Sequence, residues 1–204
     1  METGIWEEIK LKLQYKIQEI FCNYKTGDLS EKEKRKIVFE YLCKNISYDY
    51  ELLDDIKSFH ENQKVISRNP YFELANVINN SVGICNAISQ YYKLLLEELG
   101  IVAYCVICDD GTSVKHQLNL VFDSTKKTYS FDDITSVIVG RGTMEEFFDY
   151  GLNFANSVNQ GNKVIAGKYR WVVLPEEYIC YIVGKSKPGF QTLRELPHEE
   201  ISRK

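Results

Sequence analysis

Residues 81–100 read SVGICNAISQYYKLLLEELG, the segment around which the expected fold is built. Its apolar side chains recur every three or four residues, at Ile88, Tyr92, Leu95, Leu96 and Leu99. Gly100 follows at a position where helices commonly end in a left-handed conformation. The pattern predicts a helix that begins close to Cys85 and buries one face.

Cys85 stands at the start of this helix and has two interpretations. By periodicity it is one more member of the apolar stripe, and buried free cysteines are common and inert. By position it lies where unpaired N–H groups and the helix dipole favour a thiolate. Gly83, which carries no side chain, would leave room for a substrate backbone to approach. The first interpretation makes Cys85 a core residue, and the second makes it a nucleophile.

Helices are predicted before this stretch. Apolar residues at intervals of three and four indicate an amphipathic helix over residues 5–22. Ser30 followed by Glu33 has the spacing of a capping box, which predicts the start of a second helix. Residues 54–70 look irregular, and a short helix is expected from about residue 71 to residue 78.

Strands are predicted after Gly100, where the period changes. The segments IVAYCVIC, VKHQLNLVF and TYSFDD, separated by polar turns, indicate three antiparallel strands over residues 101–133. A helix is expected over residues 143–156, and YRWVVL and EYICYIVG are predicted as later strands. The expected fold class is therefore α+β, with N-terminal helices, a central helix and an antiparallel sheet packed on it.

The composition is that of a globular protein. The 204 residues are 44% hydrophobic and 13% aromatic, which is enough for one core and argues against disorder. The net charge of −4 comes without a basic stripe, so nucleic acid is not expected as the main partner. We expect a single domain over 1–204, comprising an N-terminal helical part (1–33), a core (34–136), a part completing the sheet (137–184) and an extended tail (185–204).

The location is predicted from what the sequence lacks. No signal-peptide pattern opens the chain and no apolar run is long enough for a membrane span, so a cytoplasmic protein is expected. The alternatives are export without a recognisable signal and a chain whose signal has been removed. The six cysteines lie mostly in apolar segments, which favours reduced thiols over a disulfide framework.

A thiolate nucleophile needs a histidine to carry the proton, and the imidazole needs an acceptor that fixes its tautomer. The chain has three histidines, of which His60 lies in a polar segment and His198 in the tail. His116 lies in a predicted strand, on the same side as Leu118 and Leu120, and a strand packed on the central helix could bring it over the helix N-terminus. A histidine in such a place is otherwise a hydrogen-bonded core residue.

The next predicted strand ends in Asp132 and Asp133. An antiparallel neighbour could present either carboxylate to His116, whereas the alternative is a solvated strand end. Together the three elements place a cysteine at a helix start, a histidine on a following strand and an aspartate on the strand after that.

This ordered set resembles the transglutaminase-like superfamily, a branch of the papain-like cysteine enzymes, in its bacterial form. KRKIVFEYLCKNISYDY resembles the helix and Tyr-Asp stretch that precede the nucleophile. VGICNAISQYYKLLLEELGIVAYCV resembles the nucleophile helix, with its Gly-x-Cys entry and Leu-Gly-Ile exit. HQLNLVFDSTKKTYSFDDIT resembles the His-x-x-Asn strand and the Tyr-then-Asp strand. The resemblance spans roughly residues 34–136, about half of the chain.

The resemblance implies that Cys85 is the nucleophile and His116 the general base and acid. The third member is Asp132 or Asp133. The Tyr-x-x-Asp spacing from Tyr129 favours Asp132, while the Asp-x-Thr pattern favours Asp133. Asp132 is the preferred assignment, with Asp133 as the alternative.

The resemblance also implies supporting residues. Asn119 matches the Asn of the family and is expected to hydrogen-bond near the histidine strand. Leu118 stands where many members have an aromatic residue, often Trp, which changes the acyl-acceptor side. The backbone N–H of Cys85 would supply one donor to the oxyanion. Tyr71 is a candidate for the second donor from its position upstream.

The expected function is cysteine-dependent hydrolysis or acyl transfer at an amide bond of a protein or peptide, through a thioester acyl-enzyme. Protease, deamidase and transglutaminase remain open. The alternative is a catalytically inactive transglutaminase-like domain that binds a protein partner. The sequence does not predict an oligomeric state.

No cofactor or metal is predicted. Cys105 and Cys108 form a C-x-x-C pair, but a zinc site would need a second pair of ligands, and cysteines three apart on a strand point to opposite faces. The segment VGRGT, residues 139–143, is glycine-rich but lacks the lysine of a phosphate-binding loop, so it is predicted as a turn.

Overall fold

The computed structural model describes residues 2–62, 70–109, 116–126, 128–150, 157–160, 163–166 and 169–173. The helices are α1 (Glu2–Ile20), α2 (Glu31–Asn45), α3 (Tyr50–Asn62), α4 (Pro70–Asn80), α5 (Cys85–Glu98), α6 (Ile134–Ile138) and α7 (Met144–Phe147), with a short 3-10 turn at Thr26–Asp28. The strands are β1 (Ser47–Tyr48), β2 (Val82–Gly83), β3 (Ala103–Asp109), β4 (His116–Asp123), β5 (Thr128–Asp132), β6 (Ser157–Gln160), β7 (Lys163–Ala166) and β8 (Tyr169–Val173).

The strands form one large sheet and one small one. The large sheet has the order β5-β4-β3-β8-β7-β6, and every neighbouring pair is antiparallel. The two short strands β1 and β2 pair in parallel and bring residues 47–48 beside residues 82–83. The α+β class and the antiparallel sheet predicted from the sequence are confirmed.

Helix α5 is the centre of the core. Its ten residues from Ala87 to Leu96 are all buried, because α1, α2 and α4 pack on it from one side and β3 and β4 from the other. Tyr92 and Leu95 are completely enclosed. A helix surrounded in this way has a fixed position, so its first residue is held firmly relative to the sheet.

Local signals in the sequence set the ends of several elements. The capping box at α2 is confirmed: the N–H of Ser30 donates to Glu33 Oε2 over 2.8 Å, and the N–H of Glu33 donates to Ser30 Oγ over 3.3 Å. Gly100 follows α5 with φ of +73°, the left-handed conformation that the stop signal predicts.

The prediction for residues 54–70 is wrong. They were expected to be irregular, but α3 runs to Asn62, and the N–H of Leu52 donates to Asp49 Oδ1 over 2.9 Å at its start. Pro70, at the end of this segment, begins α4, because a proline is tolerated in the first helical turn, where its missing N–H costs nothing. The hairpin of β6 and β7 was not predicted.

Other predictions lie partly outside the described residues. Of the helix expected over 143–156, the structure shows the four-residue α7, and residues 151–156 lie outside the described residues. The predicted strand EYICYIVG and the tail also lie outside the described residues. The division of the chain into four parts stays a prediction. Across the ranges given above, no helix combines the length and the apolar character needed to cross a membrane.

Candidate active site

Cys85 is the first residue of α5 and lies at the partly exposed end of the apolar stripe. Two residues further on, Ala87 is fully buried, so the boundary between solvent and core passes through the first turn. Cys85 is a free thiol. The stripe therefore exists, but its first member is not sealed inside the core.

His116 is the first residue of β4 and lies between Cys85 and an aspartate. Its Nε2 is 2.7 Å from Oδ2 of Asp133. A side-chain hydrogen bond also joins His116 to Cys85, which leaves Nδ1 to face the sulfur. The imidazole is 23% exposed, so solvent reaches the site.

The electrostatics of the site favour a charged imidazole. Burial disfavours the imidazolium, but the hydrogen bonds and negative charges of Asp133 and Cys85 outweigh burial and raise the pKa of His116 to about 10. Burial also disfavours the charged carboxylate of Asp133, but the hydrogen bond and charge of His116 and the hydrogen bonds of Ser136 together outweigh burial and lower the pKa of Asp133 below its usual value. An imidazolium beside a carboxylate is the state that this geometry stabilises.

Asp133 is held in place by the helix that follows it. It is the N-cap of α6, and its Oδ1 accepts the N–H of Ser136 over 2.9 Å. The hydroxyl of Ser136 donates to Asp133 Oδ2 over 2.7 Å. The carboxylate thus caps a short helix and contacts His116 with the same group, which fixes the orientation of both.

The preference for Asp132 as the partner of His116 is corrected by the structure. Asp132 is fully buried and accepts hydrogen bonds of 2.5 Å from both Nε and Nη2 of Arg35. It also accepts the hydroxyl of Tyr92 over 2.7 Å and the N–H of Asp149 over 2.8 Å. These groups occupy both carboxylate oxygens of Asp132, and within the described residues no hydrogen bond or ion pair joins Asp132 to His116.

Strand pleating places the side chain of Asp132 on the core face of the sheet. In the register of β4 and β5, Asp132 pairs with Asn119, and side chains opposite each other share one face of the sheet. Asn119 Nδ2 donates to the carbonyl of Ser89 on α5 over 2.9 Å, so this face is turned to the core helix. One residue further, the chain has left the strand, and Asp133 is free to turn to His116.

Arg35 links Asp132 to a second carboxylate. Its Nη1 donates to Asp149 Oδ1 over 3.1 Å, and the guanidinium lies 4.9 Å from the ring centroid of Phe148. Lys32 and the hydroxyl of Ser130 also contact Asp149. This network joins α2, α5, β5 and the segment after α7, and holds the chain next to Asp133 at several points.

Tyr48 is a site residue that the sequence interpretation missed. The backbone N–H of Cys85 donates a hydrogen bond to its hydroxyl, because β1 pairs with β2 just before α5. Burial and the negative charge of Cys85 raise the pKa of Tyr48 above its ordinary value, so the hydroxyl keeps its proton and can donate it. The signal was available in the Tyr-Asp stretch of ISYDY, to which no role was given.

The other predicted residues have different places. Asn119 is buried and bonds to α5, as described, and Leu118 is also buried. The side chain of Tyr71 lies outside the described residues. Gly83 is buried, and a Cβ there would lie 3.3 Å from Cβ of Val77, so the glycine allows close packing against α4.

The described residues hold no group of three or more His, Cys, Asp or Glu side chains arranged to bind a metal ion. Cys105 is buried on β3, and burial raises the pKa of its thiol to about 11. The side chain of Cys108 lies outside the described residues.

No family profile and no curated protein matches this sequence. Among solved structures, the chain is similar to one described as the crystal structure of a TGase, with a TM-score of 0.53 and 21% sequence identity. The similarity covers 66% of this chain and 33% of that one, so the chain spans about a third of the length of that protein. At this identity the similarity shows a transglutaminase-like fold and leaves activity to be argued from the site.

Proposed function

We propose that this protein is a cysteine-dependent amide-bond hydrolase or acyl transferase that acts through Cys85, His116 and Asp133. The observation that carries the proposal is the position of His116, which is bonded to Asp133 on one side and to the thiol at the start of α5 on the other. A nucleophile, a proton carrier and an orienting acceptor in this order are the parts of a cysteine triad.

The reaction begins with attack on an amide carbonyl. The Cys85 thiolate forms a bond to the carbonyl carbon, and the carbonyl oxygen takes the negative charge. When this intermediate collapses, the C–N bond breaks, the imidazolium of His116 gives its proton to the departing amine, and a thioester remains. Asp133 holds the imidazole in one orientation and stabilises its charged form.

The second half of the reaction regenerates the thiolate. Neutral His116 takes a proton from water or from an amine as either attacks the thioester carbon. The C–S bond then breaks, the sulfur leaves as a thiolate, and His116 is again an imidazolium. Water yields hydrolysis of a peptide bond or deamidation of a side chain, and a lysine amine yields a cross-link.

Two donors are available for the oxyanion. The backbone N–H of Cys85 and the hydroxyl of Tyr48 lie together at the start of α5, where the N–H donates to the hydroxyl oxygen. An oxyanion between them would accept from both and replace that bond. Because both donors already lie at the start of α5, forming this site requires only that the bond between them is replaced. Tyr48 therefore takes the role that was suggested for Tyr71.

Two features favour the enzyme over an inactive binding domain. Cys85 is partly exposed, whereas an inactive relative could bury its thiol without loss. Asp133 contacts His116 directly at 2.7 Å, whereas a silent site has no need to keep this pair together.

The first experiment measures alkylation of Cys85 by iodoacetamide as a function of pH, in wild type and in His116→Ala, with Cys85→Ser as the blank. We expect fast alkylation below about pH 7, well under the range of an ordinary thiol, and a slower rate in His116→Ala. A Cys85 that reacts no faster than the other free thiols would refute the triad and favour a binding domain.

The products then separate the possible reactions. A glutamine-containing peptide is incubated with the protein, with and without a primary amine, and analysed by mass spectrometry. Incorporation of the amine identifies acyl transfer, conversion of glutamine to glutamate identifies deamidation, and shorter peptides identify proteolysis.

A further inference from the structure

The segment VGRGT, predicted as a turn, holds one exposed arginine in a tightly built loop. The N–H of Arg141 donates to the carbonyl of Ser136 over 2.9 Å. Gly140 adopts φ of +74°, which turns the chain back toward Ser136 so that this bond can form. A Cβ on Gly142 would lie 2.7 Å from the ring of Phe147, so a larger residue does not fit. Thr143 then caps α7 through a capping box. Both sides of Arg141 are thus fixed by hydrogen bonds and packing.

This loop lies next to the candidate active site. The backbone N–H of Arg141 hydrogen-bonds to the carbonyl of Ser136, and the Ser136 hydroxyl hydrogen-bonds to Asp133. Asp133 in turn contacts His116. Helix α6 also contacts β1, the strand that carries Tyr48. Burial raises the pKa of Tyr48, and the positive charge of Arg141 opposes that rise, so the guanidinium is within electrostatic reach of the hydroxyl beside the Cys85 N–H.

The guanidinium of Arg141 has no partner among the residues that the structure describes. Several of the other cations are paired, among them Arg35 with Asp132, Lys93 with Glu97 and Lys16 with Glu19. Arg141 is exposed and forms no ion pair or side-chain hydrogen bond within the described ranges. An unpaired arginine on a rigid loop is a fork of donors suited to a carboxylate or phosphate.

We propose that Arg141 binds an anionic group of the substrate beside the amide that Cys85 attacks, so that this site selects acidic acyl donors. The proposal rests on the proposed function and adds its substrate class. The net charge of the chain is −4, so the protein as a whole does not attract an anion. A cation close to the active site is therefore needed to hold an acidic substrate, and Arg141 lies in the loop next to that site.

The test uses two alkylating reagents of almost the same size, neutral iodoacetamide and anionic iodoacetate. Both lose iodide as the Cys85 sulfur bonds to their carbon, so the ratio of their rates reports the charge around the thiolate. The ratio is measured at low ionic strength for wild type, Arg141→Gln, Arg141→Lys and Lys126→Gln. Glutathione provides the ratio for a free thiol.

Lys126→Gln is the matched control, because it removes the same charge from an exposed position. His116 is the first residue of β4 and Asp123 the last, and eight strand residues span about 25 Å. Lys126 follows Asp123 and therefore lies beyond the end of β4 that is opposite His116. The net charge of the two variants is equal, so a difference between them measures local charge. Circular dichroism establishes that each variant is folded, and Arg141→Lys retains the charge should the glutamine variant fail to fold.

We expect Arg141→Gln to lower the iodoacetate-to-iodoacetamide ratio about fivefold, the effect of one exposed ion pair, and added salt to reduce that difference. Arg141→Lys should retain most of the ratio, and Lys126→Gln should match wild type. Fast alkylation by both reagents with an unchanged ratio in Arg141→Gln would overturn this inference and leave the triad intact. Slow alkylation by both reagents in wild type would overturn the proposed function and this inference with it.

Discussion

Asp132 and Asp133 are consecutive residues whose carboxylates bind different partners on different sides of the chain. Asp132 bonds to Arg35 inside the core, and Asp133 bonds to His116 at the partly exposed site. The pair therefore separates two tasks between neighbouring positions. The first carboxylate anchors the end of β5, and the second, held in place by that anchor, orients the imidazole.

Replacement by asparagine should lower the reactivity of Cys85 when it is made at Asp133, and the stability of the fold when it is made at Asp132. Asp133→Asn removes the charge that stabilises the imidazolium, so we expect alkylation of Cys85 near neutral pH to slow at least about tenfold. Asp132→Asn leaves the buried Arg35 without its carboxylate, so we expect the free energy of unfolding to fall by about 3 kcal/mol. Urea denaturation and iodoacetamide kinetics measure the two effects.

A loss of alkylation confined to Asp132→Asn, with its unfolding free energy unchanged, would contradict this division and restore Asp132 as the triad member. Tyr92→Phe is the control for the buried pair, because it removes one hydrogen bond to Asp132 and keeps the ring. It should cost about 1 kcal/mol and leave the His116–Asp133 contact in place.

His116 should titrate far above an ordinary histidine. Its pKa of about 10 depends on hydrogen bonds to Asp133 and Cys85, which together outweigh burial. In Cys85→Ala one of these partners is lost, so we expect the pKa of His116 to fall. NMR titration of the imidazole protons measures both values, and a wild-type transition near 6.5, the reference value, would show that the thiolate–imidazolium pair does not form.

The same shift predicts how stability depends on pH. The pKa of His116 is higher in the folded protein than in the unfolded chain, so the folded state binds more protons between about 6.5 and about 10. This contribution is fully present below pH 6.5 and is lost as pH rises through about 10. The unfolding free energy of wild type should therefore fall across this window more than that of His116→Ala, as urea denaturation at several pH values can measure.

Tyr48→Phe should impair acyl transfer much more than alkylation. Acylation by p-nitrophenyl acetate passes through an oxyanion, so loss of one donor is expected to slow it about a hundredfold. Displacement of iodide from iodoacetamide builds no oxyanion, so that rate should change far less. Stopped-flow measurement of nitrophenol release gives the first rate.

Tyr50→Phe is the matched control. The centroids of the Tyr50 and Tyr48 rings are 5.0 Å apart, and Tyr50 is largely exposed. This variant removes a neighbouring hydroxyl and should acylate like wild type. Equal slowing of acylation and alkylation in Tyr48→Phe would mean that Tyr48 only positions Cys85.

Gly83→Ala should cost stability through packing. The new Cβ would lie 3.3 Å from Cβ of Val77 and 3.4 Å from Cβ of Ala87, so neighbouring groups must move. We expect a loss of about 1 kcal/mol in thermal or urea denaturation, and a smaller loss when Val77→Ala is also present. Gly27→Ala, where nothing lies within 4 Å of the new Cβ, is the control and should cost little.

A Gly83→Ala variant that keeps its stability but is no longer acylated would instead show that the glycine gives access to the substrate. That result would support the interpretation made from the sequence, in which Gly83 leaves room for a substrate backbone.

Elements with local signals could be predicted from the amino-acid sequence alone. The stripe after Cys85 predicted α5, the spacing of Ser30 and Glu33 predicted the start of α2, and the alternating segments predicted β3, β4 and β5. These patterns could be interpreted because periodicity and capping depend on residues only a few positions apart. The order of cysteine, histidine and aspartate along the chain followed from the same elements.

Two features of the site depend on contacts between residues far apart in the sequence: which aspartate faces His116, and which residue lies beside the Cys85 N–H. Arg35 reaches Asp132 across 97 positions of sequence, and Tyr48 reaches Cys85 through the pairing of two short strands. Neighbouring strand residues point to opposite faces, so a single position of register exchanges the buried carboxylate for the one at the site. Asp132 and Asp133 are chemically identical in the sequence, and their partners differ because the fold places a buried cation beside one and an imidazole beside the other.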